Sequence, residues 1–225
     1  MANQLDLEEQ EQLDQLKHFW AQYGNLITWL LIAVLSVFAA WNAYQYWQRN
    51  QATQAAALFD ELERVAKGND TAKLDRVLGD MKDKFASTTY AQQAALLTAK
   101  VYFEAGKLDE AKSTLSWVAD KSSDTGYQAL ARLRLAGILL ESKAYDEALK
   151  QLANTFPGDF APLVADRRGD IYLAQGKKSE AGVEFLKAYQ SLDEGAEYRR
   201  LVEVKMASLG LSVPLAKTEP VGEKK

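Results

Sequence analysis

The chain lacks cysteine altogether and has one histidine in 225 residues. Without cysteine there is no disulfide, no thiolate metal site and no thiol nucleophile. His18 stands just before the longest apolar stretch, so the remainder offers no imidazole for a Ser/His/Asp triad, a metal cluster or a proton shuttle. A glycine-rich phosphate cradle is also missing. Carboxylates do occur in pairs, Asp80 with Asp83 and Asp166 with Asp170, but spacings of three and four are those of a solvated helical face. A chain without catalytic residues, cofactor or metal is the expectation. An excess of basic charge is absent too. The first 48 residues hold one of the 27 basic and five of the 31 acidic side chains, which leaves the rest formally neutral. Nucleic acid and a polybasic grip on anionic lipid are therefore not indicated.

What the chain does have is an uncharged stretch from His18 to Trp47, whose core from Leu26 to Trp41 is apolar apart from Thr28 and Ser36. Carried through Tyr44 it gives about 19 residues, enough for a helix to cross most of a hydrocarbon layer of about 30 Å. Tyr23, Trp29, Trp41, Tyr44, Tyr46 and Trp47 crowd its ends, where amphipathic rings favour the headgroup boundary. The acidic leader before it, with Asp6, Glu8, Glu9, Glu11 and Asp14 against Lys17, is wrong for a cleaved secretory signal, although Val37-Phe38-Ala39 resembles a cleavage site. A retained anchor is expected. Charge leaves its orientation open: Lys17 flanks one side, Arg49, Arg64 and Lys67 the other. Within the span, Thr28, Ala33, Ser36 and Ala40 are small or polar positions suited to packing against another helix in lipid.

The expected organisation is an acidic leader helix over 1–20, a transmembrane helix over 21–48, a repeat domain over 49–211 and a disordered tail over 212–225. After the anchor, Gln51 to Ala66 and Thr71 to Phe85 read as two amphipathic helices. Between them Gly68 is a candidate left-handed residue and the following Asn69-Asp70 a cap. The chain then repeats. Ala111, Ala148 and Ala181 are 37 and 33 residues apart, bracketing the tetratricopeptide period of about 34. Twelve positions before each stands a small residue, Ala99, Ala136 or Gly169, that lets paired helices approach. Tyr102, Leu139 and Tyr172 fill the space between them, and Leu115, Leu152 and Phe185 continue the apolar face four residues on. Gly106 and Gly176 supply tight turns; Asp109-Glu110 and Asp146-Glu147 sit where a helix dipole favours negative charge. The segment from Phe156 to Pro162 breaks the helix between the second and third repeats. The pair over 51–85 and a helix from Ala196 to Leu209 are the candidate caps of the array. The fold class is all-α, one N-terminal transmembrane helix followed by a tetratricopeptide-like solenoid.

A binding surface is then the expected functional element. In such arrays the first helix of each pair lines the concave face. The register places Phe103, Leu140 and Leu173 at one equivalent position there, and Leu96, Leu133 and Asp166 seven residues earlier. This is an apolar stripe with an acidic end at Asp166 and Asp170; the alternative is that a terminal helix fills the groove and the stripe is core.

The strings from Glu11 to Trp20 with Gly24, Trp41 and Trp47 around the anchor, Val164 to Asp170 and Gly176 to Ala181 resemble the YfgM-like family of bacterial inner-membrane proteins, ancillary subunits of the SecYEG translocon. The resemblance implies a cytoplasmic N-terminus and a periplasmic repeat domain. It also implies association with the translocon and a PpiD-like periplasmic chaperone, and assistance to unfolded exported polypeptides. No catalytic residues come with it. Two other classes share the layout: a scaffold recruiting envelope-biogenesis or division proteins, and an organelle import receptor with a cytosolic domain.

Overall fold

A computed structural model describes residues 7–68 and 70–211 of the chain; the tail expected to be disordered, Asn69 and the first six residues of the leader lie outside them. Among the described residues the secondary structure is helical. Nine α-helices follow one another as α1 Leu7–Lys67, α2 Thr71–Phe85, α3 Thr89–Glu104, α4 Leu108–Lys121, α5 Thr125–Glu141, α6 Tyr145–Leu152, α7 Ala161–Ala174, α8 Lys178–Ser191 and α9 Glu197–Ser208. The chain divides into two compact units, one running to Gln54 and the other beginning at Ala55.

The separate leader helix, membrane helix and first amphipathic helix of the sequence reading are one helix. From Asn25 to Lys67 there is neither glycine nor proline, so nothing stops propagation until Gly68. Gly68 is not left-handed as expected; its N–H closes a tight turn on the Val65 carbonyl at 3.0 Å, and Asp70 caps α2 by accepting from the Lys73 N–H at 3.1 Å. In the first unit the apolar stretch stays uncovered: its most apolar 18-residue window has a mean hydropathy of 2.0 and none of it is buried. Ala33, Ser36 and Ala40, at spacings of three and four, share one face of α1, and Thr28 falls off that face. The Thr28 hydroxyl donates to the Gly24 carbonyl at 2.7 Å, so it reaches the lipid region already satisfied. Gly24 is buried beneath the Trp20 indole, which a Cβ there would press at 3.1 Å.

In the second unit α3/α4, α5/α6 and α7/α8 are the three expected helix pairs. Ala111, Ala148 and Ala181 are wholly buried, as are their partners four residues on, Leu115, Leu152 and Phe185. Each pair turns by the same hydrogen bonds. Gly106 N–H donates to the Phe103 carbonyl and Lys107 N–H to that of Tyr102; Lys143 and Ala144 repeat this on Leu140 and Leu139, Gly176 and Lys177 on Leu173 and Tyr172. This is a Schellman cap, which needs a left-handed residue at its corner. Gly106 at φ 74° and Gly176 at φ 78° supply it freely, whereas the second pair forces Lys143 to φ 60°. The helices that open the first two pairs carry side-chain caps, Thr88 on Ala91 N–H and Asp124 on Gly126 and Tyr127 N–H. A short 3-10 helix, Gly158–Phe160, and Pro162 at the start of α7 make the break before the third pair.

Two apolar clusters result. The larger joins Ala55, Leu62 and Ala66 of α1, Leu74, Leu78 and Met81 of α2, the buried faces of the first two pairs, and Val164 and Ile171 of α7. The smaller gathers Ala165, Ala181, Phe185 and Ala188 of the third pair with Val202 and Met206 of α9. The C-terminal part of α1 with α2, and α9, thus close the two ends of the array.

Candidate partner-binding groove

The opening helices α3, α5 and α7 carry the positions expected to face a partner. Between α3 and α5 lies an open groove of about 350 Å³, lined by Ala99, Lys100, Phe103, Leu115, Arg134, Gly137, Ile138 and Glu141, with Arg167 reaching in from α7. Its floor is apolar, because Ala99, Leu115 and Ile138 also belong to the core. Phe103 is 36% exposed and lines the groove.

The other residues of the expected stripe are placed differently. Leu96 (5% exposed) and Leu133 (8%) are buried in the larger cluster, and Leu140 is half-buried against it. Leu96 shares Phe103's side of α3, seven residues away, but the guanidinium of Arg134 lies across its carbonyl, with Nη1 donating at 3.4 Å. Leu173 packs half-buried against the smaller cluster, beside α9. The expected acidic end is not an open surface. Asp166 is 2% exposed and accepts from the Tyr198 hydroxyl at 2.6 Å, and both its oxygens accept from Lys205 Nζ at 2.8 Å. The same ammonium lies 2.7 Å from Asp170. Register alone made these positions equivalent; the third differs because it has a terminal helix, not a further pair, on its flank.

The electrostatics of that corner follow from burial. Desolvation pushes the Asp170 carboxyl up, opposed by the hydrogen bond from Lys205 and reinforced by the Asp166 charge. Burial likewise pushes the Tyr198 phenol up, and its hydrogen bond to Asp166 adds to this. Tyr102 is raised by burial and by its bond to Asp75 of α2. Among the described residues no group of three His, Asp or Glu side chains is placed to hold a metal ion.

Arg134 and Arg167 were not singled out from sequence, although a signal was present: each stands two residues before the small residue of its repeat, Ala136 or Gly169. Both line the groove. Lys205 and Tyr198 carried no such signal, since a contact across 39 or 32 residues follows no period.

Comparison with known proteins bears on what this geometry serves. The family model of a tetratricopeptide repeat-like domain matches residues 17–211. A protein of Neisseria gonorrhoeae described as an ancillary SecYEG translocon subunit is 33% identical over 90% of this chain and 98% of its own length. Proteins of the same description from Haemophilus influenzae and Escherichia coli are 28% and 29% identical, over 82% and 77% of this chain and 90% and 83% of their own. No solved structure matches.

Proposed function

Because the chain belongs to the tetratricopeptide repeat-like family of ancillary SecYEG translocon subunits, we propose that it is a non-catalytic, membrane-anchored accessory subunit of the Sec translocon. α1 anchors it in the bacterial inner membrane, with the N-terminus in the cytoplasm and the repeat domain in the periplasm. The repeat domain meets a PpiD-like chaperone and newly exported, still unfolded polypeptides, using the groove around Phe103. Ala33, Ser36 and Ala40 form the face proposed for helix packing against the translocon, and Thr28, off that face, is proposed for a separate contact in the membrane. Leu140 and Leu173, half-buried on the opening helices outside the groove lining, are proposed to extend the contact along the array; buried Leu96 and Leu133 belong to its core, and Asp166 and Asp170 hold α9. The observation that carries the reading is the joining of an uncovered apolar helix to a repeat array with an open groove, over nearly the full length of a relative described as a translocon subunit.

Alkaline phosphatase fused after Ser212 tests the orientation and is expected to be active. The full chain is expected to co-purify with SecYEG from detergent-solubilised inner membranes. An inactive fusion that still fractionates with the membrane would reverse the topology and favour a cytosolic receptor. Absence of SecYEG from the purified chain would remove the translocon role and favour a scaffold for other envelope proteins.

A further inference from the structure

The array contains two kinds of arginine. Arg132 donates to the Ala119 carbonyl at 3.0 Å and lies 3.6 Å from Asp120; Arg168 donates to the Leu152 carbonyl at 2.6 Å. Both tie one helix to the next. Arg134 and Arg167, which line the groove, are used far less. Arg134 makes the one long bond to the Leu96 carbonyl, and among the described residues no carboxylate lies within 4.0 Å of it. The carboxylate nearest Arg167 is Asp170 at 3.9 Å, already held by Lys205 at 2.7 Å. Each guanidinium has five N–H donors, so most of their capacity is unspent.

The backbone brings the two together. Gly137, one turn beyond Arg134 on α5, has no side chain, and the Arg167 guanidinium rests where its Cβ would be in ordinary contact, 3.6 to 3.9 Å away. Lys100 also lines the groove but lies 3.7 Å from Glu104 of its own helix, and Glu141 is the one carboxylate in the lining. The two underused guanidinium groups stand beside an apolar floor of Ala99, Phe103, Leu115 and Ile138, and a planar guanidinium suits a carboxylate.

We propose that the groove between α3 and α5 docks an extended polypeptide segment that sets apolar side chains on Phe103 and Ile138 and a carboxylate between Arg134 and Arg167. This rests on the partner-binding reading for the groove's role and adds the chemistry of its occupant. A neutral or basic segment of the same hydrophobicity would lose the anchors and leave the cations desolvated against it.

The test uses the full chain in lipid nanodiscs and two labelled nonapeptides of leucine, alanine and one charged residue type, glutamate in one and lysine in the other, both amidated. Fluorescence anisotropy is expected to show binding of the glutamate peptide and not of the lysine peptide. Arg134→Gln with Arg167→Gln should weaken it by roughly tenfold or more, with unchanged melting; Arg134→Lys should fall between. If the double variant melts early, Arg134→Gln alone carries the same reading, since Arg134 ties no helix to another by more than its one long bond. Equal binding of the two peptides, or wild-type affinity in the arginine variants, would overturn the proposal. So would displacement of the peptide by free glutamate at equal concentration, which places a small anion there instead. Co-purification with SecYEG is scored on the same variants. If it persists while peptide selectivity fails, the groove chemistry alone falls; if the wild-type chain binds the acidic peptide yet does not associate with SecYEG, the functional reading falls and the groove chemistry stands.

Discussion

The first two helix pairs are each built on an alanine behind a leucine, Ala99 with Leu115 and Ala136 with Leu152, whereas the third sets Gly169 behind Phe185. The exchange is compensatory: a Cβ on Gly169 would overlap the Phe185 ring, and without it the larger ring is wholly buried. The difference goes with what each pair faces. The first two pairs pack into the larger cluster with further helices on both sides; the third, at the end of the array, joins that cluster through Val164 and Ile171 of α7, and Ala165, Ala181, Phe185 and Ala188 build a second cluster with α9. A bigger side chain at Phe185, and the buried ionic contact of Asp166 with Lys205, supply at that end what a following repeat supplies elsewhere. The lesson is that equivalent positions in a repeat inherit geometry from the register but burial from their neighbours.

The largest expected effect separates the ends directly. Lys205→Met strands Asp166, 2% exposed, and should destabilise the third pair and α9 by about 3 to 5 kcal/mol. Hydrogen exchange is expected to show amides of α7 to α9 opening first while those of α3 to α6 stay protected; uniform loss would mean the two clusters unfold as one. Next, Gly169→Ala should cost about 1 to 3 kcal/mol by overpacking, and adding Phe185→Leu, which restores the alanine–leucine arrangement of the other pairs, should recover most of it. A double-mutant cycle without coupling would break the comparison. Ala148→Trp and Ala181→Trp, at wholly buried positions, should each destabilise the array by overpacking, by about 1 to 3 kcal/mol or more, read as a lowered melting temperature. The smallest effect lies at the turns: Lys143→Gly should stabilise by about 1 kcal/mol, since it relieves the left-handed lysine, and Lys143→Ala should be near neutral. Thermal melting of the full chain in detergent reads both.

Much of this was legible because it repeats. The alanines and their partners four residues on follow from spacing, since the same packing makes that demand three times; the glycine turns were legible at two of the three pairs and the end caps from apolar periodicity at each end of the array. The break at Phe156 to Pro162 follows from proline chemistry. Other features escaped for physical reasons. α1 continues unbroken from Leu7 to Lys67 because the change from lipid-facing to core-facing residues alters its surroundings and leaves helix propensity intact. Lys143 takes a glycine's conformation because the identical bonds to Leu139 and Leu140 hold it there. Of the stripe, Phe103 lies on the groove, while Leu96, Leu133 and Asp166 are covered by neighbours that no local pattern announces. Arg134 and Arg167 share a register position, yet only their idle hydrogen-bonding capacity distinguishes them from Arg132 and Arg168.

In the proposed function the anchored array meets polypeptides as they leave the translocon, through the groove at Phe103. A photoreactive residue replacing Phe103 in the full chain, in cells accumulating one arrested export substrate of known sequence, tests it most directly. An adduct containing that substrate is expected from Phe103, and none from the same residue placed at buried Leu62. An arrested substrate that crosslinks to SecYEG but never to Phe103 would contradict it.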